Sequence, residues 1–456
     1  MVRWERVGAV CLGMGCLAAS AGGAARVAEV VDLEPVWSAH PVGFALLSAG
    51  AEQYAAYYDA KRQLTVAQRT LPGGPWRRTK LPRRTGWDSH NYLTLAADSA
   101  GYLHLSGDMH CARLYYLRTT RPGDISSLAR VANMVGPARE RRVTYPVFLR
   151  GPSGELIFRY RDGGSGNGDD LYNVYDPKAR SWSRLIDKPL TSGQGRMNAY
   201  CTRPALGPDG YFHMVWVWRD TPDAASNHHP SYARSKDLRN WETHTGKRLT
   251  LPITLATGDV IDPVPPKGGV INGNVKLGFD PARRPVVTYH KYDAKGNTQV
   301  YAARPDGRGG WAVTQISDWA GYRWSFGGGG AIGFDVRVGA VAPGPDGTLL
   351  LGARNKRGSQ TWVLDAETLR CVSAKRKAEL HARLAKRRSL PADDVLHKVA
   401  GTFPGLGKRR THDTGTPAEK SVRYVMVWET LGANRDRPRN PPLPPPTMLK
   451  VVKIAE

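Results

Sequence analysis

Cysteine is scarce in this chain of 456 residues, which contains only five. Two of them, Cys11 and Cys16, lie in an apolar N-terminal stretch, which leaves three for the rest of the chain. Three cysteines can form one disulfide at most, so we expect a fold held together by its core rather than by cross-links. Long apolar runs are also missing beyond the N-terminus, so we expect a soluble chain without a membrane partner.

The N-terminus has the pattern of an export signal. Arg3 and Arg6 precede an apolar stretch over residues 7–19 that is too short to span a membrane, and small residues follow it. This order predicts a secretory signal peptide over residues 1–25 and places the mature protein in the periplasm or outside the cell. An apolar first strand is the alternative interpretation.

Acidic residues are outnumbered, with 40 Asp and Glu against 65 Lys and Arg, and the formal net charge is +25. A surface with this excess attracts polyanions over long distances. For an exported protein we expect an acidic or sulfated polysaccharide as the partner, and no nucleic acid. A charge that serves only solubility is the alternative.

Turn residues are abundant, with 50 glycines and 33 prolines, and they punctuate a repeated pattern. A Gly- or Asp-containing turn is followed five times by a strand of alternating apolar residues. These five stretches are DSAGYLHLSGD (98–108), GPSGELIFRYRD (151–162), GPDGYFHMVWVWRD (207–220), DPARRPVVTYHKYD (280–293) and GPDGTLLLGARN (344–355).

Third and fourth strands follow most of these hairpins, and further strand pairs at both ends of the chain bring the number of units to seven. We therefore predict an all-β fold, a seven-bladed β-propeller with loop insertions, as a single domain over residues 26–456. A two-domain β-sandwich is the competing fold. Residues 372–420 read as a basic insertion before the last blade, with a short helix over 375–388, and residues 432–447 as a Pro-rich extended segment.

Polar residues that could carry chemistry fall near the ends of the predicted inner strands. In chain order they are His90 with Asn91, His110, Tyr145, Arg161 and Tyr200. Because the inner strands of a propeller converge on a central channel, these side chains can meet although they are far apart in sequence.

Several long motifs resemble the BNR-repeat-containing family, which includes the seven-bladed ulvan lyases. The motifs are WDSHNYLTLAADSAGYLHLSGDMHCARLYYLRT, TYPVFLRGPSGELIFRYRDGGSGNGD, VWRDTPDAASNHHPSYARS, YHKYDAKGNTQVYAAR and WETLGANRDRPRNPPLPPPTMLKV. The resemblance implies two site histidines on the second blade, a tyrosine and an arginine on the next, and a further tyrosine on the one after. The matching residues are His90 and His110, Tyr145 and Arg161, and Tyr200.

This set suits β-elimination across C4–C5 of a uronic acid. Arg161 would offset the charge that builds up on the enolate-like intermediate. A base must take the C5 proton and an acid must protonate the departing O4. We expect His90 and Tyr145 as this pair, without deciding which residue takes the proton, and a tyrosine acting as base would need a depressed pKa. His110 and Tyr200 would orient the sugar, and no cofactor is required.

Two further sets of residues are candidates for binding. Arg323 and Trp324, before a run of four glycines, could contact an anionic sugar chain. The resemblance also implies a structural zinc, for which His228, His290 and Cys201 are the candidate ligands, although Ser231 stands where a thiolate is expected. The alternative for Arg323 and Trp324 is a simple glycine-rich turn. The alternative for the three zinc candidates is a set of hydrogen-bonded residues between blades.

The sequence leaves three functions open. The first is a secreted polysaccharide lyase, monomeric, that cleaves a uronic-acid-containing and sulfated glycan such as ulvan. The second is a sialidase-like glycoside hydrolase, which would need paired carboxylates or an arginine triad at the channel. The third is a glycan-binding propeller without activity.

Overall fold

The computed structural model describes residues 26–372 and 403–455, and it is built almost entirely of β-strands. In these two ranges the only helices are four single turns of 3₁₀-helix, Ile125–Ser127, Pro137–Arg139, Ala224–Ser226 and Pro345–Gly347, and none is suited to cross a membrane. The signal peptide predicted over 1–25 and the helix predicted over 375–388 lie outside the described residues.

The strands of the described ranges form seven sheets, each of which is one blade of a propeller. The predicted all-β propeller is thus confirmed, and we number its blades in chain order. Blade 1 contains Ala45–Gly50, Glu52–Tyr58, Gln63–Thr70, Arg77–Arg84 and the short Thr416–Pro417. Blade 2 contains Leu93–Ala97, Leu103–Gly107, Tyr116–Thr119 and Leu128–Val131. Blade 3 contains Val143–Arg150, Leu156–Asp162, Asp169–Asp176 and Ser181–Arg184.

The remaining four blades follow the same antiparallel plan with short additions. Blade 4 contains Asn198–Cys201, Ala205–Leu206, Phe212–Arg219, Asn227–Ser235, Trp241–Glu242 and Asp259–Val260. Blade 5 contains Lys276–Phe279, Pro285–Tyr292, Thr298–Pro305 and Trp311–Gln315. Blade 6 contains Arg337–Val338, Ala342–Pro343, Thr348–Asn355 and Gly358–Asp365. Blade 7 contains Gly407–His412, Val422–Thr430, Thr447–Ala455 and Arg26–Val36.

The turns of the repeated pattern share one backbone conformation. Gly101, Gly154 and Gly210 end the turns of three blades, with φ of 81°, 81° and 82°. This is the left-handed region that glycine enters without a steric penalty, so each turn reverses the chain at the same point. The periodicity in the sequence therefore corresponds to one hairpin geometry used repeatedly.

Blade 7 closes the ring with strands from both ends of the chain. Arg26–Val36 pairs antiparallel with Thr447–Ala455 along its whole length. Gly407–His412 pairs with Val422–Thr430 and lies beside the first strand of blade 1. This strand lies within residues 372–420, the stretch that the sequence predicts as an insertion before the last blade. The prediction missed the strand because its sequence, GKRRTH, is polar and mostly exposed, so it shows no apolar alternation.

Candidate active site

The five residues matched to the family motif line two adjoining cavities at one end of the central channel. His90, His110, Tyr145 and Tyr200 line an open cleft of about 420 Å³. Tyr145 and Tyr200 also line a second cavity of about 520 Å³, which Arg161 borders as well. Blades 2, 3 and 4 therefore contribute to one continuous space, as expected from the convergence of propeller strands.

The spacing of the two histidines follows from the register of the blade 2 hairpin. Leu93 lies opposite Gly107 in the antiparallel pair. His90 precedes Leu93 by three residues and His110 follows Gly107 by three, so the two meet just beyond the paired region. Their rings stack with centroids 4.0 Å apart and planes inclined by 24°.

Asp88 binds both histidines at once. One carboxylate oxygen lies 2.6 Å from Nδ1 of His90 and the other lies 2.7 Å from Nδ1 of His110. Burial would raise the pKa of Asp88, but the hydrogen bonds from His110 and His90 outweigh it and hold the pKa well below its usual range. An ionised carboxylate only accepts hydrogen bonds, so both Nδ1 atoms carry protons, and in a neutral imidazole held this way Nε2 is the nitrogen that can accept one.

Tyr145 projects from an irregular point of the first strand of blade 3. The pairing with the second strand shifts by one residue between Thr144 and Val147, which is a β-bulge, and Tyr145 has φ of 58°. A non-glycine residue in this region is strained, and bulges re-aim side chains beside functional sites. The ring of Tyr145 lies 5.5 Å from that of His90 and 6.0 Å from that of Tyr200, centroid to centroid.

The electrostatic environment of Tyr145 does not lower its pKa. Burial, reinforced by Tyr200, raises the pKa of Tyr145 above its ordinary value and outweighs the opposing charge of Arg161. The depressed pKa that a tyrosine base would need is therefore not found. The phenol keeps its proton at neutral pH and is suited to donate it.

Arg161 is a buried cation that pairs with no carboxylate of the described ranges. The residue is 2 % exposed. Its Nη2 donates hydrogen bonds to Thr144 Oγ1 at 3.0 Å and to the Cys111 sulfur at 3.4 Å. Its Nε and Nη1 are buried and have no hydrogen-bond partner among the residues that the structure describes. The guanidinium carbon lies 4.8 Å from the ring centre of Tyr145 and 5.8 Å from that of Tyr200.

Arg159, two residues earlier on the same strand, provides an internal comparison. Its Nε lies 2.6 Å from a carboxylate oxygen of Asp170, so its charge is neutralised within the protein. An unpaired buried charge is costly, and proteins normally avoid one unless a ligand or cofactor completes the site. Among the described residues, Arg161 has no carboxylate equivalent to Asp170, and both arginines border the same cavity.

Tyr200 brings two residues into the cleft that the sequence analysis missed. Its hydroxyl lies 2.5 Å from Ser165 Oγ, and the guanidinium carbon of Arg219 lies 5.2 Å from its ring centre. Ser165 and Arg219 also line the cleft. Asp88 was missed too, because an aspartate before a hairpin reads as a turn residue. The Asp-x-His spacing, with a second histidine at the matching hairpin position, is the signal that could have identified it.

Three residues predicted to bind substrate lie elsewhere. The Asn91 amide donates to Thr85 Oγ1 at 3.2 Å and does not line the cleft. The guanidinium of Arg323 stacks on Tyr292, 3.7 Å from the ring centre, and donates to the Gly296 carbonyl oxygen at 2.6 Å. Trp324 is only 5 % exposed, so it cannot offer an open face for a sugar. It packs instead into an aromatic cluster with His290, Phe326 and Phe334.

The predicted zinc ligands do not converge. His228 is held by His229, with 2.7 Å between their Nδ1 atoms, and by Asp220. Cys201 lies beside Thr191, and burial raises the pKa of its thiol, which opposes the thiolate that zinc requires. Burial lowers the pKa of His290 to about 3, so its imidazole is neutral, and both of its ring nitrogens are buried without a hydrogen-bond partner among the described residues. Within the part of the chain that the structure describes, His228, His290 and Cys201 do not form a cluster of metal ligands.

One group with metal-ligating chemistry does occur among the described residues, and it is the cleft cluster itself. Ligand atoms of Asp88, His90 and His110 lie within 4.8 Å of one another. The short distances from Asp88 to both Nδ1 atoms are those of hydrogen bonds, which account for this arrangement without an ion.

The sequence pattern of the BNR repeat-containing family matches residues 52–319, more than half of the chain. The chain belongs to this family. This member of the BNR family holds the cluster of His, Tyr and Arg side chains described above in its cleft. No curated protein sequence matches the chain.

Solved structures with the same fold include polysaccharide lyases. The lyase Uly1 is 12 % identical with a TM-score of 0.58, and the match covers 94 % of this chain and 99 % of Uly1. A PL25 ulvan lyase is 13 % identical with a TM-score of 0.54, over 89 % and 97 % of the two chains. The same type of lyase bound to -[GlcA(1-4)Rha3S]- has a TM-score of 0.52 at 13 % identity, over the same shares. At these identities the similarity establishes the propeller fold.

Proposed function

We propose that this protein is a polysaccharide lyase that cleaves a uronic-acid-containing glycan by β-elimination. The observation that carries the proposal is Arg161, a buried guanidinium that borders the channel cavity and has two nitrogens without a partner in residues 26–372 and 403–455. A uronate carboxylate supplies the missing partner. Pairing it with Arg161 makes the C5 proton more acidic, because the cation stabilises the charge that develops on the carboxylate.

The roles of the other groups follow from their protonation. His90, with its Nδ1 proton held by Asp88, takes the C5 proton on Nε2. The electron pair of the C5–H bond forms the C4–C5 double bond, and the C4–O4 bond breaks. Tyr145, which keeps its proton at neutral pH, donates it to O4. The products are an unsaturated uronate at one new chain end and a free hydroxyl at the other, and His110 and Tyr200 orient the sugar. Protons return to Tyr145 and leave His90 through solvent.

The substrate class is supported by charge and by the fold relatives. A net charge of +25 favours an acidic, sulfated polymer, and one fold relative was solved with a glucuronate–sulfated rhamnose oligomer. We therefore infer an ulvan-like glycan. The export signal predicted over 1–25 would bring the enzyme, as a monomer, to a polymer outside the cell.

A glycoside hydrolase is disfavoured by the cleft chemistry. Most glycoside hydrolases use a pair of carboxyl groups that face the sugar. The carboxylate of the cleft cluster, Asp88, is engaged by two imidazoles instead.

The test is to incubate the purified protein with ulvan and with other uronate-containing polymers and to follow the ultraviolet absorbance of an unsaturated uronate. Arg161→Met keeps the volume of the buried side chain and should lower kcat/KM by roughly 10²–10³, as expected when a charge-stabilising donor is lost. Arg161→Lys, which keeps the charge, should lose less.

Arg118→Met is the matched control, because Arg118 also lies against a tyrosine ring, Tyr175, but far from the cleft. It should leave the rate unchanged. New reducing ends without the ultraviolet signal would support a hydrolase, and binding without turnover would support an inactive glycan-binding propeller.

A further inference from the structure

One carboxylate from the Pro-rich segment, Asp436, ties together two walls of the cleft. It accepts hydrogen bonds from the backbone N–H of Ser89 at 3.0 Å and from the Ser89 hydroxyl at 2.9 Å. Its other oxygen accepts the backbone N–H of Ala331 at 2.7 Å. Ser89 precedes His90, and Ala331 belongs to the glycine-rich loop that lines the opposite side of the cleft.

Asp436 also extends the row of charged groups behind His90. Its Oδ2 lies 3.7 Å from Nδ1 of His90, and its Oδ1 lies 3.5 Å from Nε2 of the buried His40. With Asp88 bound to His90 and His110, imidazoles and carboxylates alternate in the order His110, Asp88, His90, Asp436, His40. Tyr145 is the remaining titratable group whose ring packs against His90.

The neighbouring residue attaches the same segment to the glycine-rich loop. Arg435 donates to the carbonyl oxygens of Gly327 and Gly329 at 2.9 and 3.1 Å, and its backbone N–H donates to Ala331 O at 2.8 Å. A Cβ added at Gly330 would lie 2.5 Å from the carbonyl oxygen of Arg435. The loop therefore fits closely against this segment only with glycine at that position.

We propose that Asp436 is a positioning residue for His90. Asp436 does not itself line the cleft, so it acts through the Ser89–His90 turn and through its charge near Nδ1. The fixed negative charge favours the tautomer with the proton on Nδ1, and the two backbone hydrogen bonds hold the turn at a set distance from the glycine-rich loop. The catalytic part of this inference rests on the proposed lyase function.

The experiment compares Asp436→Asn with the wild type in two measurements. In turnover we expect kcat to fall about tenfold and KM to change less than threefold, since the substrate contacts remain. In ¹⁵N spectra of the imidazoles, with His90 assigned through His90→Gln, we expect a larger share of the Nε2-protonated tautomer of His90. Asp32→Asn is the matched control, because Asp32 pairs with Lys450 on the outer strand of blade 7, and it should change neither measurement.

The two measurements separate this inference from the proposed function. If the wild type makes no unsaturated product, the lyase proposal fails, while the nitrogen spectrum still tests the placement of the His90 proton. If Asp436→Asn does not fold, Ser89→Ala removes one hydrogen bond to Asp436 without removing its charge and should lower kcat two- to fivefold. An unchanged His90 spectrum in a folded Asp436→Asn, or an unchanged kcat in Ser89→Ala, would overturn the proposal.

Discussion

Replacing Asp88 by asparagine should disable the cleft while leaving the propeller folded. The carboxylate accepts one hydrogen bond from each of two imidazoles, at 2.6 and 2.7 Å. An asparagine amide has one accepting oxygen and one donating nitrogen, so it can accept from only one of them. The other histidine must either lose its hydrogen bond or move its proton to Nε2, where it can no longer act as a base.

The magnitude follows from the two contacts. Hydrogen bonds to a charged group are worth about 1.5–3 kcal/mol each, against about 1 kcal/mol for a neutral pair. Losing one and weakening the other costs roughly 2–4 kcal/mol. If this energy keeps the imidazoles in the orientation that the reaction needs, its loss lowers kcat about 30- to 1000-fold, since about 1.4 kcal/mol corresponds to a factor of ten.

The assay is the formation of unsaturated uronate, with circular dichroism to confirm the fold. Asp98→Asn is the matched control, because Asp98 also pairs with a histidine of blade 2, the buried His104, whose other nitrogen contacts Tyr116. It should lower stability and leave kcat unchanged. A folded Asp88→Asn that keeps more than a third of the wild-type kcat would refute the role assigned to the two imidazoles.

Two further predictions concern Tyr145 and Asp436. Tyr145→Phe removes the proton donor but keeps the ring against Arg161. The value of kcat should therefore fall by about 10²–10³, while the unfolding midpoint in urea stays unchanged. A retained rate would show that another group protonates O4. Burial would raise the pKa of Asp436, but the close imidazole of His40 and the hydrogen bonds from Ser89 and Ala331 outweigh it and lower the pKa from 3.8 to about 2. Because the folded-state pKa is depressed, roughly 2 kcal/mol of stability is present above about pH 4 and is lost as the pH falls toward about 2. Urea unfolding across this window should show a flatter profile for Asp436→Asn than for the wild type, and parallel profiles would contradict the assignment.

The sequence predicts the propeller well because each hairpin carries its own local signal. Turn glycines such as Gly101 and Gly210 and the alternation after them depend only on neighbouring residues. The strand Gly407–His412 was not predicted because its own sequence is polar. Its position depends instead on the closed ring, in which a strand is needed between blade 7 and blade 1. In the same way, the position of Asp436 beside His90 depends on how a segment far along the chain crosses the surface.

The site was predictable where residue spacing follows strand register. His90 and His110 are equidistant from the paired ends of one hairpin, and Tyr145 and Arg161 come from paired strands. Arg323 and Trp324 were assigned to binding from residue type alone. The structure shows that an aromatic side chain beside a glycine run can equally fill the core, because no local pattern tells an exposed tryptophan from a buried one.

Mass spectrometry of the products formed from a uronate-containing polymer tests the central claim most directly. If Arg161 receives the uronate carboxylate for elimination, wild-type protein will release oligosaccharides whose new non-reducing end is lighter by one water than a hydrolysis product, and Arg161→Met will release almost none. Products of full hydrolytic mass, or unsaturated products formed equally well by Arg161→Met, would contradict the account.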